Sequence, residues 1–173
     1  MRTAIVILVA AILVATAGCG KVRTVTKTVT VPATAKTGVG PPGESVQFGY
    51  IKSLKRKGSG FVMRFDPAWF LSGLTANVAA AEDGVVPPGQ PVPNDNYVLD
   101  EGHRLLTYRV PAKARVTVLT KGVSGSPVTV AQLAQLLAGK NPFRRPLFEP
   151  ITTGFWIVID IDTVRSLDQQ YHP

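Results

Sequence analysis

The single cysteine of the chain, Cys19, constrains the fold more than any other residue. It lies near the amino terminus, so the long stretch that follows it contains no thiol. That stretch therefore has no disulfide, no thiolate metal site and no cysteine nucleophile. A domain formed there must be held together by its hydrophobic core. Residues 46–173 are enough for one compact core, and too few for the two lobes of a solute-binding protein.

The segment before Cys19 predicts export. Arg2 supplies a positive charge, and residues 3–17 form an uncharged run rich in Ala, Val, Ile and Leu. This order is typical of a secretory signal. The run is shorter than the roughly 18 apolar residues of a membrane-spanning helix. We therefore expect residues 1–18 to be a signal peptide rather than a permanent span.

The residues Thr16-Ala17-Gly18-Cys19 resemble the lipobox of bacterial lipoproteins, although the family prefers a larger aliphatic residue at the position of Thr16. The resemblance implies that Cys19 becomes the first residue of the mature protein, with a diacylglyceryl group on its sulfur and an acyl chain on its amine. Two or more acyl chains give a stable anchor. An unlipidated signal anchor or cleavage after Ala17 are the alternatives. The expected location is the extracytoplasmic face of the cell membrane.

Residues 19–45 have the composition of a tether, with many Thr, Lys, Gly and Pro and no aromatic residue. We interpret the segment as disordered, with an added edge strand over the alternating residues 24–30 as the alternative. Its cations outnumber its one acid, Glu44. They favour contact with anionic headgroups or simply keep the tether soluble.

Hydrophobic alternation predicts a β-rich domain over residues 46–173. Val46, Phe48 and Tyr50 form one strand pattern, and a basic turn with two glycines separates it from the pattern that begins at Phe61. This arrangement is typical of a β-hairpin. Further strands are expected at 97–99, 105–110, 115–119, 155–159 and 164–167. About seven strands and two short helices predict an α+β fold, mostly β, with a curled sheet or small barrel; an oligonucleotide-binding-type barrel is the nearest architecture.

Two segments have helical patterns. In the first, Asp66 fits an N-cap and Pro67 the first helical position. Apolar residues follow at helical spacing, namely Phe70, Leu71, Leu74, Val78 and Ala81. In the second, Thr129 and Gln132 match a capping box. Its expected apolar face is Val130, Leu133, Ala134 and Leu137.

Several short motifs of the domain resemble a set of uncharacterised bacterial exported proteins and lipoproteins. The likeness implies a bacterial envelope protein and transfers no activity, cofactor or site residue. The motifs are Phe48-Gly49-Tyr50-Ile51, Asp66-Pro67-Ala68-Trp69 with Ser72-Gly73, residues 79–84, residues 93–98, Leu105-Leu106 and residues 168–171.

Polar side chains concentrate on the predicted loops and form the first candidate ligand site. Hard cations such as Ca²⁺ prefer six to eight oxygen ligands, which two neighbouring loops can supply. The spacing does not match the calcium-loop pattern, however, and Asn and Asp are also ordinary turn residues. A Ca²⁺ site and simple turn chemistry therefore stay open for Glu82, Asp83, Asn94, Asp95, Asp100, Glu101 and His103.

A basic hairpin is the second candidate site. Cations lie beside Tyr50 and Phe61, a combination that in the cytoplasm suggests single-stranded nucleic acid. Export removes that partner, and anionic lipid or an anionic wall polymer takes its place, because backbone charges attract cations in the same way. A solvated hairpin tip is the alternative. The cations are Lys52, Lys55, Arg56 and Lys57.

Catalytic motifs are weak. Asp160 and Asp162 alternate on one strand and resemble a carboxylate pair of the kind glycosidases use. The nucleophile motif Gly-x-Ser-x-Gly, zinc spacings and phosphate loops are absent from the sequence. We expect a noncatalytic ligand- or partner-binding domain. The alternatives are a small hydrolase that uses these carboxylates or Asp95, Glu101 and His103, and an accessory subunit with an apolar patch at Trp69 or Trp156.

Overall fold

The structure, a computed structural model, describes residues 43–172. They form eight strands, two helices and a 3-10 turn at Pro93–Asp95. The strands are β1 (Glu44–Lys57), β2 (Gly60–Ser72), β3 (Asn96–Leu99), β4 (Leu106–Pro111), β5 (Arg115–Val118), β6 (Ser126–Val128), β7 (Phe155–Asp160) and β8 (Thr163–Gln169). The helices are α1 (Gly73–Glu82) and α2 (Val130–Leu137).

Five of the strands close into a barrel. β1 pairs antiparallel with β2 and with β7, β2 pairs with β4, and β7 pairs with β8. The ring closes where β4 and β8 run parallel, with Arg109 opposite Thr163. This is the strand order of an oligonucleotide-binding-type barrel. The predicted small barrel is therefore confirmed; β3 extends it beside β2, while β5 and β6 extend it beside β8.

The main core lies inside the barrel and is capped by α2. Met63 and Phe65 of β2 are completely buried, and so is Leu133 of α2. Thr129 accepts a hydrogen bond from the backbone N–H of Gln132, and the Gln132 side chain accepts one from Thr129, so the predicted capping box is confirmed. The cap directs the apolar face of α2 against the barrel.

The predicted β1–β2 hairpin is confirmed, but both strands are longer than expected. β1 already begins at Glu44, so Glu44 and Ser45 belong to the domain and the predicted end of the tether at residue 45 is wrong. β2 continues through Asp66 and Pro67 to Ser72. The prediction of Asp66 as a helix N-cap is therefore wrong. Pro67 fits the strand because β4 stops pairing with β2 at Phe65 and β3 starts at Trp69, which leaves β1 as the only neighbour there among the described strands. A residue without an N–H is tolerated where one side of a strand is unpaired.

Helix α1 packs with its small residues rather than its large ones. Ala76 and Ala80 are completely buried, whereas Leu74 is 82% and Val78 58% exposed. The buried alanines contact Val92 in a small second core between α1, β3 and the following loop. The apolar face predicted from Leu74 and Val78 is therefore wrong, since the helix approaches its sheet too closely for large side chains.

The predicted strand at 155–159 is confirmed as part of β7. Phe155 and Ile159 are buried in the core, whereas Ile161 is exposed and has a φ of 59° in the turn to β8. Strand β6 at Ser126–Val128 is an eighth strand that the sequence pattern did not indicate.

The predicted signal peptide, Cys19 and the predicted tether up to residue 42 lie outside the described residues. Within residues 43–172, neither helix has the length and hydropathy needed to cross a bilayer.

Candidate functional site

An open cleft of about 760 Å³ lies between the β1–β2 turn, the end of β4 and the start of β8. Three cations line it: Lys57 from the end of β1, Arg109 from β4 and Lys113 from the turn after β4. Phe61 and Val62 contribute to its apolar part. We call this feature the basic cleft. A cleft with cations around apolar surface suits an anionic ligand with an uncharged portion.

Strand pairing brings together the residues that line the basic cleft. Lys57 lies opposite Gly60 in the β1–β2 hairpin, and Gly60 lies opposite Pro111 of β4. A Cβ atom on Gly60 would lie 3.0 Å from the carbonyl oxygen of Val110. Glycine at this position therefore lets β4 approach the hairpin turn closely, which places Arg109 and Lys57 around the same opening.

The charges of the basic cleft are mostly uncompensated. Arg109 Nε lies 3.5 Å from Asp162 Oδ2, and both side chains are more than half exposed. Such exposed pairs contribute only about 0–1 kcal/mol, so an incoming anion competes easily with Asp162. Within residues 43–172, Lys57 and Lys113 make no ion pair. The cleft therefore has a net positive charge.

The structure separates the four cations predicted for the basic hairpin. Lys57 lines the cleft. Lys55, two residues before it, lies on the same outward face of β1. Arg56 points the other way, with its guanidinium carbon 5.8 Å from the centre of the Phe61 ring. Lys52 is engaged with Asp66, at 2.9 Å between Nζ and Oδ2.

Lys52 stabilises a buried carboxylate. Asp66 is only 7% exposed, and its Oδ1 has no hydrogen-bond partner among the described residues. The hydrogen bond to Asp66 raises the pKa of Lys52, which keeps the ammonium charged. Burial, with a further contribution from Asp100, raises the pKa of the neighbouring Tyr50. Lys52 therefore balances the charge of Asp66 and has less freedom to meet a ligand than Lys55 or Lys57.

The polar loop residues are engaged in separate local contacts. Asp83 accepts a hydrogen bond from the Tyr97 hydroxyl at 2.7 Å, which raises the pKa of Tyr97. Asp100 accepts one from the backbone of Gly102 in a turn. In the described part of the chain, no three His, Asp or Glu side chains are grouped as metal ligands. Glu82 lies beside a cavity of about 370 Å³. Asn94 and Asp95 have left-handed backbone conformations. Glu101 contacts His103, with 3.3 Å between Oε2 and Nε2.

The carboxylates of the hydrolase alternative that form ion pairs contact different partners and not one another. Asp160 is paired with Arg165, whereas Asp162 is paired with Arg109. The contact of Glu101 with His103 joins neither of these aspartates. Asp160, Asp162 and Glu101 thus each have a separate partner, and their arrangement resembles surface ion pairing more than a catalytic pair.

The two tryptophans differ in their surroundings. Trp156 packs against Phe48 and Phe70 and donates a hydrogen bond from Nε1 to Gln170. Trp69 is 58% exposed. Of the two, Trp69 is the more available for contact with a partner.

A second basic cavity of about 550 Å³ lies beside the loop after α2. Arg144 and Arg145 line it together with Lys121. Asn141 orders the loop, since its side chain donates to the carbonyl of Arg145 and accepts from the N–H of Phe143. The cavity is smaller than the basic cleft and lies off the barrel strands that carry the other cations.

Sequence reasoning missed Arg109 and Lys113, which complete the basic cleft. They are far from the hairpin in sequence, and only the pairing of β4 with β2 brings them to it. The alternation of Thr107, Arg109 and Pro111 with buried Val110 indicates an outward-facing cation, but not its neighbour. No family model, curated protein or solved structure matches the chain.

Proposed function

We propose that this protein is a noncatalytic, lipid-anchored domain of the bacterial cell envelope that binds an anionic envelope polymer in the basic cleft. The observation that carries the proposal is the convergence of Lys57, Arg109 and Lys113 on one open cleft with a single carboxylate in contact. Phosphate and carboxylate groups of a polymer are held by such cations through charge-assisted hydrogen bonds.

The location of the cleft supports a binding role. In barrels with this strand order, ligands bind on the face of the second and third barrel strands, between the loop that joins the first two strands and the loop that joins the last two. Here β2 and β4 are those strands, and the cleft extends from the β1–β2 turn to Thr163 after the β7–β8 turn. The cations therefore lie on the face where barrels of this architecture bind their ligands.

The predicted anchor supports the choice of partner. With lipid on Cys19, a flexible tether up to residue 42 would hold the domain on average roughly 25–30 Å from the membrane. Anionic wall polymers and lipid headgroups are the abundant polyanions within that reach. An open cleft with charges on several strands fits an extended polymer better than a single headgroup.

Removing two charges of the cleft tests the binding site. We expect Lys57→Gln with Lys113→Gln to weaken binding of a long polyglycerol phosphate roughly tenfold, because each exposed charge contact is worth up to about 1 kcal/mol. Binding is measured by titration calorimetry on the full chain in detergent, at low and at physiological salt. Arg144→Gln with Arg145→Gln is the matched control, since it removes the same charge from the second basic cavity. An equal loss in both double variants would contradict a specific cleft.

Replacing the predicted lipid attachment residue tests the anchor. We expect Cys19→Ala to leave uncleaved precursor or to release the domain from the membrane, because the variant has no sulfur to carry a diacylglyceryl group. Membrane fractionation and precursor size by immunoblot measure this, and Ser124→Ala serves as a control. Unchanged fractionation and size would refute the lipid anchor and leave the cleft untouched.

A further inference from the structure

We propose that the basic cleft is one end of a longer track, and that its ligand is a linear phosphodiester polymer lying along the strands. The track is the outer face of β1, β2 and β4, from the β1–β2 turn towards Asp66. This inference rests on the proposed function and names the class of polymer and its orientation.

Strand register arranges the outward-facing side chains of the track in rows across the three strands. Residues opposite each other on neighbouring strands point to the same side of the sheet. The rows are, in order from the turn, Lys57–Gly60–Pro111, Lys55–Val62–Arg109 and Ser53–Arg64–Thr107.

Every row carries at least one cation, and none of the three contains a carboxylate. Successive outward-facing residues of a strand are about 7 Å apart, so the rows extend the positive charge over about 14 Å. In an extended polyol phosphodiester chain the charges recur at a spacing similar to the distance of about 7 Å between rows. One anion would occupy the cleft alone, whereas such a chain meets a cation at each row.

The third row is built to receive an anion. Arg64 is exposed and donates from Nη1 to the Thr107 hydroxyl at 2.9 Å. This bond holds the guanidinium across β2 and β4 and leaves its other N–H groups for a ligand. Within the described residues Arg64 has no ion pair, so its charge is uncompensated.

The residues at the two ends of the track fit a ligand that lies along the strands rather than across them. At the far end, the pair of Lys52 with Asp66 places a carboxylate where the rows of cations stop. At the near end, Lys113 extends the positive charge beyond the turn. Between them Val62 offers an apolar surface to the uncharged part of a repeat that lies over the middle row. A polymer along the strands meets all these features in sequence, whereas one across them meets a single row.

Chain length of the ligand separates a track from an isolated cleft. The probes are synthetic glycerol phosphate oligomers with two and with eight phosphates, titrated calorimetrically into the full chain in detergent. We expect Arg64→Gln and Lys55→Gln each to weaken the octamer about three- to fivefold and to leave the dimer unchanged. Arg144→Gln, the matched control off the track, should change neither. The Lys55 side chain makes no hydrogen bond or ion pair within residues 43–172, so its variant keeps the test valid should Arg64→Gln lower the melting temperature.

Each outcome decides between the two proposals. Octamer binding that is unaffected by both track variants, but weakened by the Lys57 and Lys113 double variant, would overturn the track and retain the cleft. Absence of binding by both oligomers at low salt would overturn the proposed function as well. Tight binding of anionic vesicles without binding of the octamer would identify a lipid surface instead and refute the polymer.

Discussion

Gly49→Ala is expected to lower the free energy of unfolding by about 3 kcal/mol or more, because the new methyl group has no room between two barrel strands. A Cβ atom on Gly49 would lie 2.1 Å from the carbonyl oxygen of Asp66 and 2.9 Å from Cα of Pro67. Both contacts involve the backbone of β2, so no side-chain rotation relieves them. β1 and β2 must therefore separate at the Gly49–Pro67 pair. This pair lies between the part of β2 that also pairs with β4 and the part that also pairs with β3.

Urea denaturation measures this loss as a lower midpoint with an unchanged slope. Gly122→Ala is the matched control, because a Cβ there meets no atom within 4 Å and the backbone has no positive φ. Its free energy of unfolding should match that of the wild type to within about 0.5 kcal/mol. Equal midpoints for the two variants would refute the close approach of β1 and β2.

Gln169→Ala is expected to destabilise the protein by about 3 kcal/mol, because one buried amide satisfies several backbone and side-chain groups. Its Oε1 accepts a hydrogen bond from the N–H of buried Leu119 at 2.9 Å. Its Nε2 donates to the carbonyl of Pro150 at 2.8 Å and to the Thr153 hydroxyl at 3.1 Å. Gln169 thus joins the end of β5 to the loop before β7, and its loss leaves the Leu119 N–H without a partner.

Thermal and urea denaturation of the Gln169 variants separate these contributions. Gln169→Glu keeps an acceptor for Leu119 but loses both donated bonds. Gln135→Ala on the exposed face of α2 is the control and should be within about 0.5 kcal/mol of the wild type. If Gln169→Ala were no less stable than Gln135→Ala, the network assigned to Gln169 would be wrong.

Local patterns predicted the elements whose neighbours are close in sequence. The alternation in β1 and β2 and the capping box of α2 depend on residues only a few positions apart, and all three were confirmed. The first helix was misplaced because Phe70 and Leu71 fit both a strand and a helix, and because α1 buries Ala76 and Ala80 rather than its large residues. Hydrophobic size is a poor guide where a helix lies very close to its sheet.

The candidate site was less predictable than the fold. Lys55 and Lys57 are adjacent to a turn signal, so the sequence alone indicates a basic hairpin. Arg109 joins them only through the pairing of β4 with β2, a contact between distant parts of the sequence. Likewise, nothing near Asp66 indicates that Lys52 is occupied by a buried carboxylate. Charge at a turn can be read from a sequence, but which charges remain free depends on long-range packing.

The closure of the barrel has a mechanical consequence for binding. β4 and β8 meet through one residue pair, Arg109 and Thr163, and a backbone bond from the Arg109 N–H to the Asp162 carbonyl at 3.0 Å. Both residues of this pair also line the basic cleft. A ligand bound in the proposed site would contact both strands of this shortest junction of the ring, so its binding would stabilise the closed barrel.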